Sequence, residues 1–298
     1  MALTSTVAHA SAIGIVRIVR CEPDSGSCGP EEHAYAPSLA FPLRGVFVKH
    51  HARRSRVVAD VCHGVFFNAN EPYRVSHPVD GGDECLVIEP SSETLREVLA
   101  AQDPAAQRND PTFGRTHVSL SPAAIALRKW FRHRLDRGTA TPLEADETAL
   151  QLLGAAVRDA AASNPIAEAR RSRAHDVVEA TKIALAGRPE ERWHLSALAQ
   201  RVYSSPFHLA RTFRRHVGMP LHRYHSLARL AAALDHVIDT SRDLSTIGAD
   251  LGFASHSHLT AAFRSAFGCT PSTLRRNASA RDAREMRKIL TARLRCSS

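Results

Sequence analysis

Long apolar runs are missing from this chain, and no stretch approaches the 18 or more residues of a membrane helix, so no spanning segment is expected. The opening MALTSTVAHASAIG lacks the basic head and long apolar core of a secretion signal, and a cytoplasmic location is expected. The cysteines Cys21, Cys28, Cys62, Cys85, Cys269 and Cys296 form no Cys-x-x-Cys pair. Thiols in the cytosol stay reduced, so a disulfide framework is not expected. Phosphate loops, dinucleotide fingerprints and Gly-x-Ser-x-Gly elbows are absent too, which removes the commonest signatures of nucleotide-dependent and hydrolytic enzymes. The chain is expected not to be an enzyme.

What is present is ordinary in kind and uneven in place. At 298 residues, with 44% hydrophobic and 23% charged residues, the chain can build two globular domains. Residues 1–165 carry a net charge of −2 and residues 166–298 a net +11. A positive field concentrated in one half is what counterion release from a polyanion needs, so nucleic acid is the first partner to consider.

The basic half contains a repeat. LSALAQRVYSSPFHLARTFRRHVG returns about fifty residues later as LSTIGADLGFASHSHLTAAFRSAFG. Leu195, Leu198 and Val202 match Leu244, Ile247 and Leu251 at an offset of 49, whereas Leu209, Phe213 and Gly218 match Leu259, Phe263 and Gly268 at 50. The one-residue slip falls in a turn. Leu195, Leu198, Ala199 and Val202 have the spacing of one buried helix face. Ser205 is a good N-cap and Pro206 suits the first helical position. The second helix keeps Leu209, Phe213 and Val217 inward, turns His208, Arg211, Arg214 and Arg215 outward, and stops at Gly218. Each copy therefore predicts a helix-turn-helix, whose second helix enters a DNA major groove. Between the copies, residues 220–238 are one helical pattern, about 28 Å long at about 1.5 Å per residue. That approaches the ~34 Å between successive major grooves on one face of a duplex.

Residues 1 to about 120 predict short antiparallel strands near 13–20, 39–50, 56–61, 64–68, 73–76 and 85–88, a sandwich or barrel. Ser121-Pro122 and Thr141-Pro142 open helices expected at 122–136 and 142–162, elements suited either to dimerisation or to packing on the sheet. Residues 163–173 make the linker, residues 175–186 a leading helix, and Thr270-Pro271 a last short one. The remaining SARDAREMRKILTARLR, with Met286, Ile289, Leu290 and Leu294 at helical spacing among Arg and Lys, is expected to be a helical, solvated basic tail, with extra phosphate contacts as the alternative.

From about residue 176 to 276 the chain resembles the AraC/XylS family of bacterial transcription regulators. The resemblance is carried by LSALA at 195–199, HLARTFR at 208–214, Gly218, Arg229 and Ala232, GF at 252–253, HLTAAFR at 258–264 and GCTP at 268–271. It implies seven helices, with two recognition helices in adjacent major grooves. Mapped onto this chain, the base-facing positions are Phe207, Ala210 and Arg211 in the first unit, with Ser205 and His208 near the backbone and Arg214 and Arg215 beside them. In the second they are Ser257, Thr260 and Ala261, flanked by His256, His258 and Arg264. Ala261 stands where many relatives carry a long polar side chain, and Gly248 where they usually carry Ala. The first unit, through Arg211, is therefore expected to do more of the base reading.

The strand half looks like the cupin-like sensor domains joined to some of these readers. The expected architecture is α+β in two domains. A cupin-like β-sandwich or barrel with flanking helices occupies residues 1–165, and an all-α double helix-turn-helix with a linker helix occupies 174–277, followed by a tail at 278–298. Partners are double-stranded DNA, RNA polymerase as the resemblance implies, a small-molecule effector, and a second copy in a homodimer; no membrane is expected. Tyr73, Arg74 and His77 are effector candidates. No cofactor or metal is assigned, because the strand half has no His-x-His or His-Glu-x-x-His spacing; His63 and His77 are the candidate ligands if one is held. Two alternatives stay open: a metal-dependent cupin enzyme fused to a DNA module, and a constitutive regulator whose first half is purely structural.

Overall fold

A computed structural model describes residues 2–23, 28–51, 56–102, 111–162, 172–279 and 284–295. The strands are β1 (Ala2–Ser11), β2 (Gly14–Glu22), β3 (Glu32–His33), β4 (Ser38–Gly45), β5 (Phe47–His51), β6 (Arg56–Ala59), β7 (His63–Phe67), β8 (Pro72–Ser76) and β9 (Asp83–Pro90), with β10 (His117–Ser119) after helix α1 (Ser92–Ala100). They form a six-stranded sheet in the order β1-β2-β9-β4-β7-β10 and a four-stranded sheet in the order β3-β8-β5-β6. All pairings within the two sheets are antiparallel.

The period-two alternation of strands sorts side chains between two interiors. Val16, Ile18, Leu39, Phe41, Leu86 and Ile88 leave one face of the large sheet for the main core, shared with helices α2 (Pro122–Asp136) and α3 (Pro142–Ala162). Ala40, Val65, Phe67, Cys85 and Val87 leave the other face and meet Phe47, Ala59, Tyr73 and Val75 of the small sheet. The sequence pattern had implied the middle strands. It did not single out β1, whose ALTSTVAHAS is exposed along an edge and carries no burial signal, nor α1 and β10.

Seven helices follow: α4 (Arg173–Gly187), α5 (Leu195–Arg201), α6 (Pro206–Val217), α7 (Leu221–Asp239), α8 (Leu244–Asp250), α9 (His256–Phe267) and α10 (Pro271–Ser279). α5 to α8 are offset by 49 and α6 to α9 by 50, so the slip lies in the turn, which is one residue longer in the second unit. Most of the expected linker, 163–171, lies outside the described residues.

Of the two roles open to the helix at 122–136, packing is the one seen: α2 is buried from Ala123 to Phe131 against α3 and α7. One expectation needs correction. The tail is not solvated: α11 (Arg284–Arg295) packs on α2, burying Met286, Leu290 and Leu294. Its Arg287 pairs with Glu147, Arg158 donates to the Leu294 carbonyl at 2.8 Å, and Arg293 donates to the Ser265 carbonyl at 3.0 Å. The apolar stripe of Met286, Leu290 and Leu294 is legible at helical spacing, but the Lys and Arg around it pointed to solvent rather than to a docking face.

Candidate nucleic-acid interface

Each helical unit is built by the same local chemistry. Ser205 accepts a hydrogen bond from the His208 N–H at 3.2 Å, and Ser255 accepts one from the His258 N–H at 3.1 Å; both serines cap their helices. Gly218 and Gly268 end α6 and α9 at φ of 80° and 83°, the left-handed region that favours glycine. Leu209 and Phe213 are fully buried in α6, as are Leu259, Phe263 and Phe267 in α9. With one face of each helix held in the core, the opposite face is left to solvent.

Those outer faces hold most of the residues expected there. Ser205, Phe207, His208, Arg211, Arg214 and Arg215 are exposed and Ala210 half-buried. Phe207, Ala210, Arg211, Arg214 and Arg215 gather along an open groove of about 940 Å³, completed by His194, Pro220 and His222. Phe207 is 76% exposed, an apolar ring left open to solvent among the described residues. His256, Ser257, Thr260, Ala261 and Arg264 line a second groove of about 860 Å³, joined by Arg293 of α11. His194 and His222 are not among the expected residues, since they lie outside the repeat's second helices, whereas Arg293 belongs to the basic tail, for which phosphate contacts are the alternative reading.

Two expected residues do not present free polar groups to the groove. The His258 ring accepts from the Ala254 N–H at 3.3 Å and packs edge-on to Phe253, so it braces the turn. The Thr260 hydroxyl oxygen is shielded from solvent and unpartnered, and does not face the groove as a free donor. The turn is braced further by Arg229 of α7, whose guanidinium donates to the Leu251 carbonyl at 2.5 Å and stacks 4.6 Å from the Phe253 ring. Gly252 makes room for it: a Cβ there would stand 2.6 Å from the Glu190 carbonyl oxygen.

The strand half grips these helices at two places. Asp60 accepts from the Tyr224 hydroxyl of α7, from the Cys62 N–H at 2.8 Å, and contacts the His63 ring at 2.8 Å. Further along α7, Lys129 pairs with Asp235 and His133 with Asp239. On the other side, α4 lies against the edge strand β6: Glu179 accepts from the Val58 N–H and His175 meets the Arg56 carbonyl at 2.8 Å. Burial would raise the Asp60 pKa, but attraction from His63 and the bonds from His63, Tyr224 and Cys62 outweigh it and hold the carboxyl below its usual range. Burial, reinforced by the Lys182 charge, lowers the His63 pKa despite the pull of Asp60.

A cavity of about 910 Å³ lies between the two sheets. Tyr73 and His77 line it; Arg74 does not, because it leaves the opposite face of β8 and is exposed. His63 and His77 do not come together: His63 is committed to Asp60, whereas His77 meets Asp83 at 2.5 Å. Lys49 is buried with its ammonium donating to the Phe66 carbonyl at 2.7 Å over the Phe67 ring, and burial pulls its pKa down to about 8.

Residues 198–277 match the helix-turn-helix domain family. An uncharacterized HTH-type transcriptional regulator of Haemophilus influenzae is 27% identical over 97 residues, 33% of each chain. The bifunctional transcriptional activator/DNA repair enzyme AdaA of Bacillus subtilis is 31% identical over 85 residues, 28% of this chain and 40% of that one. The chain thus spans well under two thirds of either curated relative. Among solved structures, a ToxT variant from Vibrio cholerae aligns over 90% of this chain and 98% of its own, at 9% identity and a TM-score of 0.39. No helix among the described residues is long and apolar enough to cross a membrane.

Proposed function

Starting from a C-terminal helix-turn-helix domain of the AraC type, we propose that the chain is a sequence-specific DNA-binding transcription regulator. In this reading residues 174–277 read DNA, and residues 1–165 form a cupin-like sensor domain. The observation that carries it is the pair of basic or polar grooves on α6 and α9, built on one buried skeleton. α6 and α9 enter adjacent major grooves, with α7 fixing their separation. Arg211 is the main base-reading residue, because its exposed, planar guanidinium matches the O6/N7 edge of guanine. Arg214, Arg215 and Arg264 neutralise phosphates, and Phe207 lies against an apolar base edge such as a thymine methyl. The second unit, with Ala261 and a shielded Thr260, contributes position and shape more than hydrogen bonds to bases.

A small-molecule effector in the cavity between the sheets acts by linkage. The small sheet holds α4 and the large-sheet side holds α7, so a ligand that prefers one spacing of the sheets biases the fraction of molecules that fit DNA. Contact with RNA polymerase and pairing of two copies complete the proposed cycle.

Selection of bound sequences from a random pool, followed by footprinting, tests the reading. Wild type is expected to return one asymmetric motif spanning two helical turns. Arg211→Ala is expected to lose about 1–3 kcal/mol of discrimination at one base pair of the first half. A motif unchanged by Arg211→Ala sinks the assignment, and the absence of any enriched motif sinks the function.

A further inference from the structure

The segment joining β8 to β9 carries a metal-ligand type of side chain at each end. His77 follows β8 in the small sheet and Asp83 opens β9 in the large one. Cys21 stands directly opposite Asp83 in the β2–β9 ladder, so both side chains leave the same face, toward the cavity. Gly82 lets the segment close down on this pair: its φ is +67°, and a Cβ there would stand 1.9 Å from the Cys21 carbonyl oxygen. As a result, one ligand atom each from Cys21, His77 and Asp83 lies within 4.8 Å of the other two. Cys21 and His77 are 6% and 3% exposed. The Cys85 thiol donates to the second Asp83 oxygen at 3.1 Å and orients the carboxylate.

Thiolate, imidazole and carboxylate together are the donor set of zinc-type ions, whose bonds of about 2.0–2.3 Å gather ligand atoms into a space of this size. The surrounding charge points the same way. Among the described residues the cavity is lined by Glu31, Glu32, Asp83 and Glu89 against Arg17 as the one permanent cation; Glu89 holds Arg17 at 3.0 Å, and Arg74, outside the lining, meets Glu31 at 3.9 Å. The neighbouring Lys49 ammonium is committed to the Phe66 carbonyl and the Phe67 ring. Such a wall favours a cation and disfavours an anionic ligand.

We propose that Cys21, His77 and Asp83 bind a borderline-soft divalent metal ion of the zinc class between the two sheets. The ion ties the small sheet, through His77, to the large one, through Cys21 and Asp83. The same segment carries the signal outward. Val79, two residues from His77, packs against Val46, Val48 and Val58, as do Ile183 and Ala186 of α4, and a Cβ on Gly187 of α4 would lie 3.4 Å from Val79. α4 in turn packs on α6. Metal occupancy therefore sets the position of the first recognition helix, a consequence that rests on the regulator reading above.

The test uses the full-length protein, reduced and freed of metal by chelation, with Co²⁺ as the probe. One equivalent is expected to produce a thiolate-to-cobalt charge-transfer absorption that Zn²⁺ bleaches stoichiometrically. Cys21→Ser and His77→Gln are expected to lose the band, Asp83→Asn to weaken binding by about tenfold or more, and Cys28→Ser, at an exposed thiol, to keep it. No band in the wild type, a band surviving in both Cys21→Ser and His77→Gln, or a band lost in Cys28→Ser overturns the site. Should those variants unfold, the wild-type melting temperature decides: a rise with Zn²⁺ is expected, and an unchanged midpoint overturns the site. Metal loading is also expected to change affinity for the selected DNA by about fivefold or more. A cobalt band with unchanged DNA affinity overturns the coupling to α4 alone. Failure to bind DNA in either state overturns the regulator reading independently of the cobalt result.

Discussion

Asp60 shows how much a single residue can organise. Its carboxylate joins a strand turn, a buried histidine and the connector helix through three partners, and it is 1% exposed. Tyr224→Phe removes one of those partners without changing shape, and is expected to cost about 1–3 kcal/mol in urea unfolding because a buried carboxylate loses a donor. The pH dependence follows from the two shifted groups. The Asp60 pKa is lower folded than unfolded, so its contribution is present above about 4 and lost as pH falls through the folded value. His63 is also shifted down; the unfolded imidazole takes up a proton near 6.5 while the buried one does not, so stability declines as pH drops below about 6.5. Burial shifts His50 and His225 in the same direction. Unfolding free energy is therefore expected to be flat between about pH 7 and the folded Lys49 value of about 8, and to fall from about 6.5 downward; a curve flat down to about 4.5 contradicts this. None of this was legible in sequence. Asp60 and Tyr224 are 164 positions apart, and Cys21 lies more than fifty residues from His77 and Asp83, so only strand pairing brings these groups together.

At the scale of elements, two glycines give opposite expectations for the same substitution. Gly248, inside α8, would place a Cβ at ordinary contact distance, 3.4 Å from Leu259 and 4.0 Å from Phe253. Gly248→Ala is expected to raise stability by about 0.5–1 kcal/mol in chemical denaturation, since alanine loses less backbone entropy in a helix. Gly268 ends α9 in the left-handed region, and a Cβ there would meet the Arg293 side chain at 2.5 Å. Gly268→Ala is expected to cost about 1–2 kcal/mol, read in the same melts. A neutral result at Gly268 means that the helix end rebuilds. The helical elements were the legible part of the chain, because apolar spacing, Ser-Pro starts and glycine stops are local signals. β1 was not, since it is mostly Ala, Thr and Ser, and its two large apolar residues, Leu3 and Val7, stay exposed along the edge.

The whole molecule is held by contacts between parts that the sequence separates. α11 sits on α2 and reaches the end of α9, so the last described segment fastens the strand half to the second helical unit. Leu290→Ala is expected to destabilise the protein by about 2–5 kcal/mol, with a matching loss of melting temperature. A cost below about 0.5 kcal/mol, the range of ordinary surface changes, returns α11 to the status of a solvated tail. The sequence pattern gave its helicity but not its docking, because the buried face of α2 that receives it is set by the fold of the other half.

α7 has a consequence for DNA rather than for the protein. It is an unbroken helix of 19 residues, pinned to the strand half at Tyr224, Asp235 and Asp239 and to the second unit's turn at Arg229. On the proposed reading it behaves as a fixed ruler. A target site then drifts freely by base substitution in its second half, where few bases are read. An insertion or deletion of even one base pair between the halves both shifts and rotates the second groove away from α9. Selection on such sites preserves spacing more strictly than spelling.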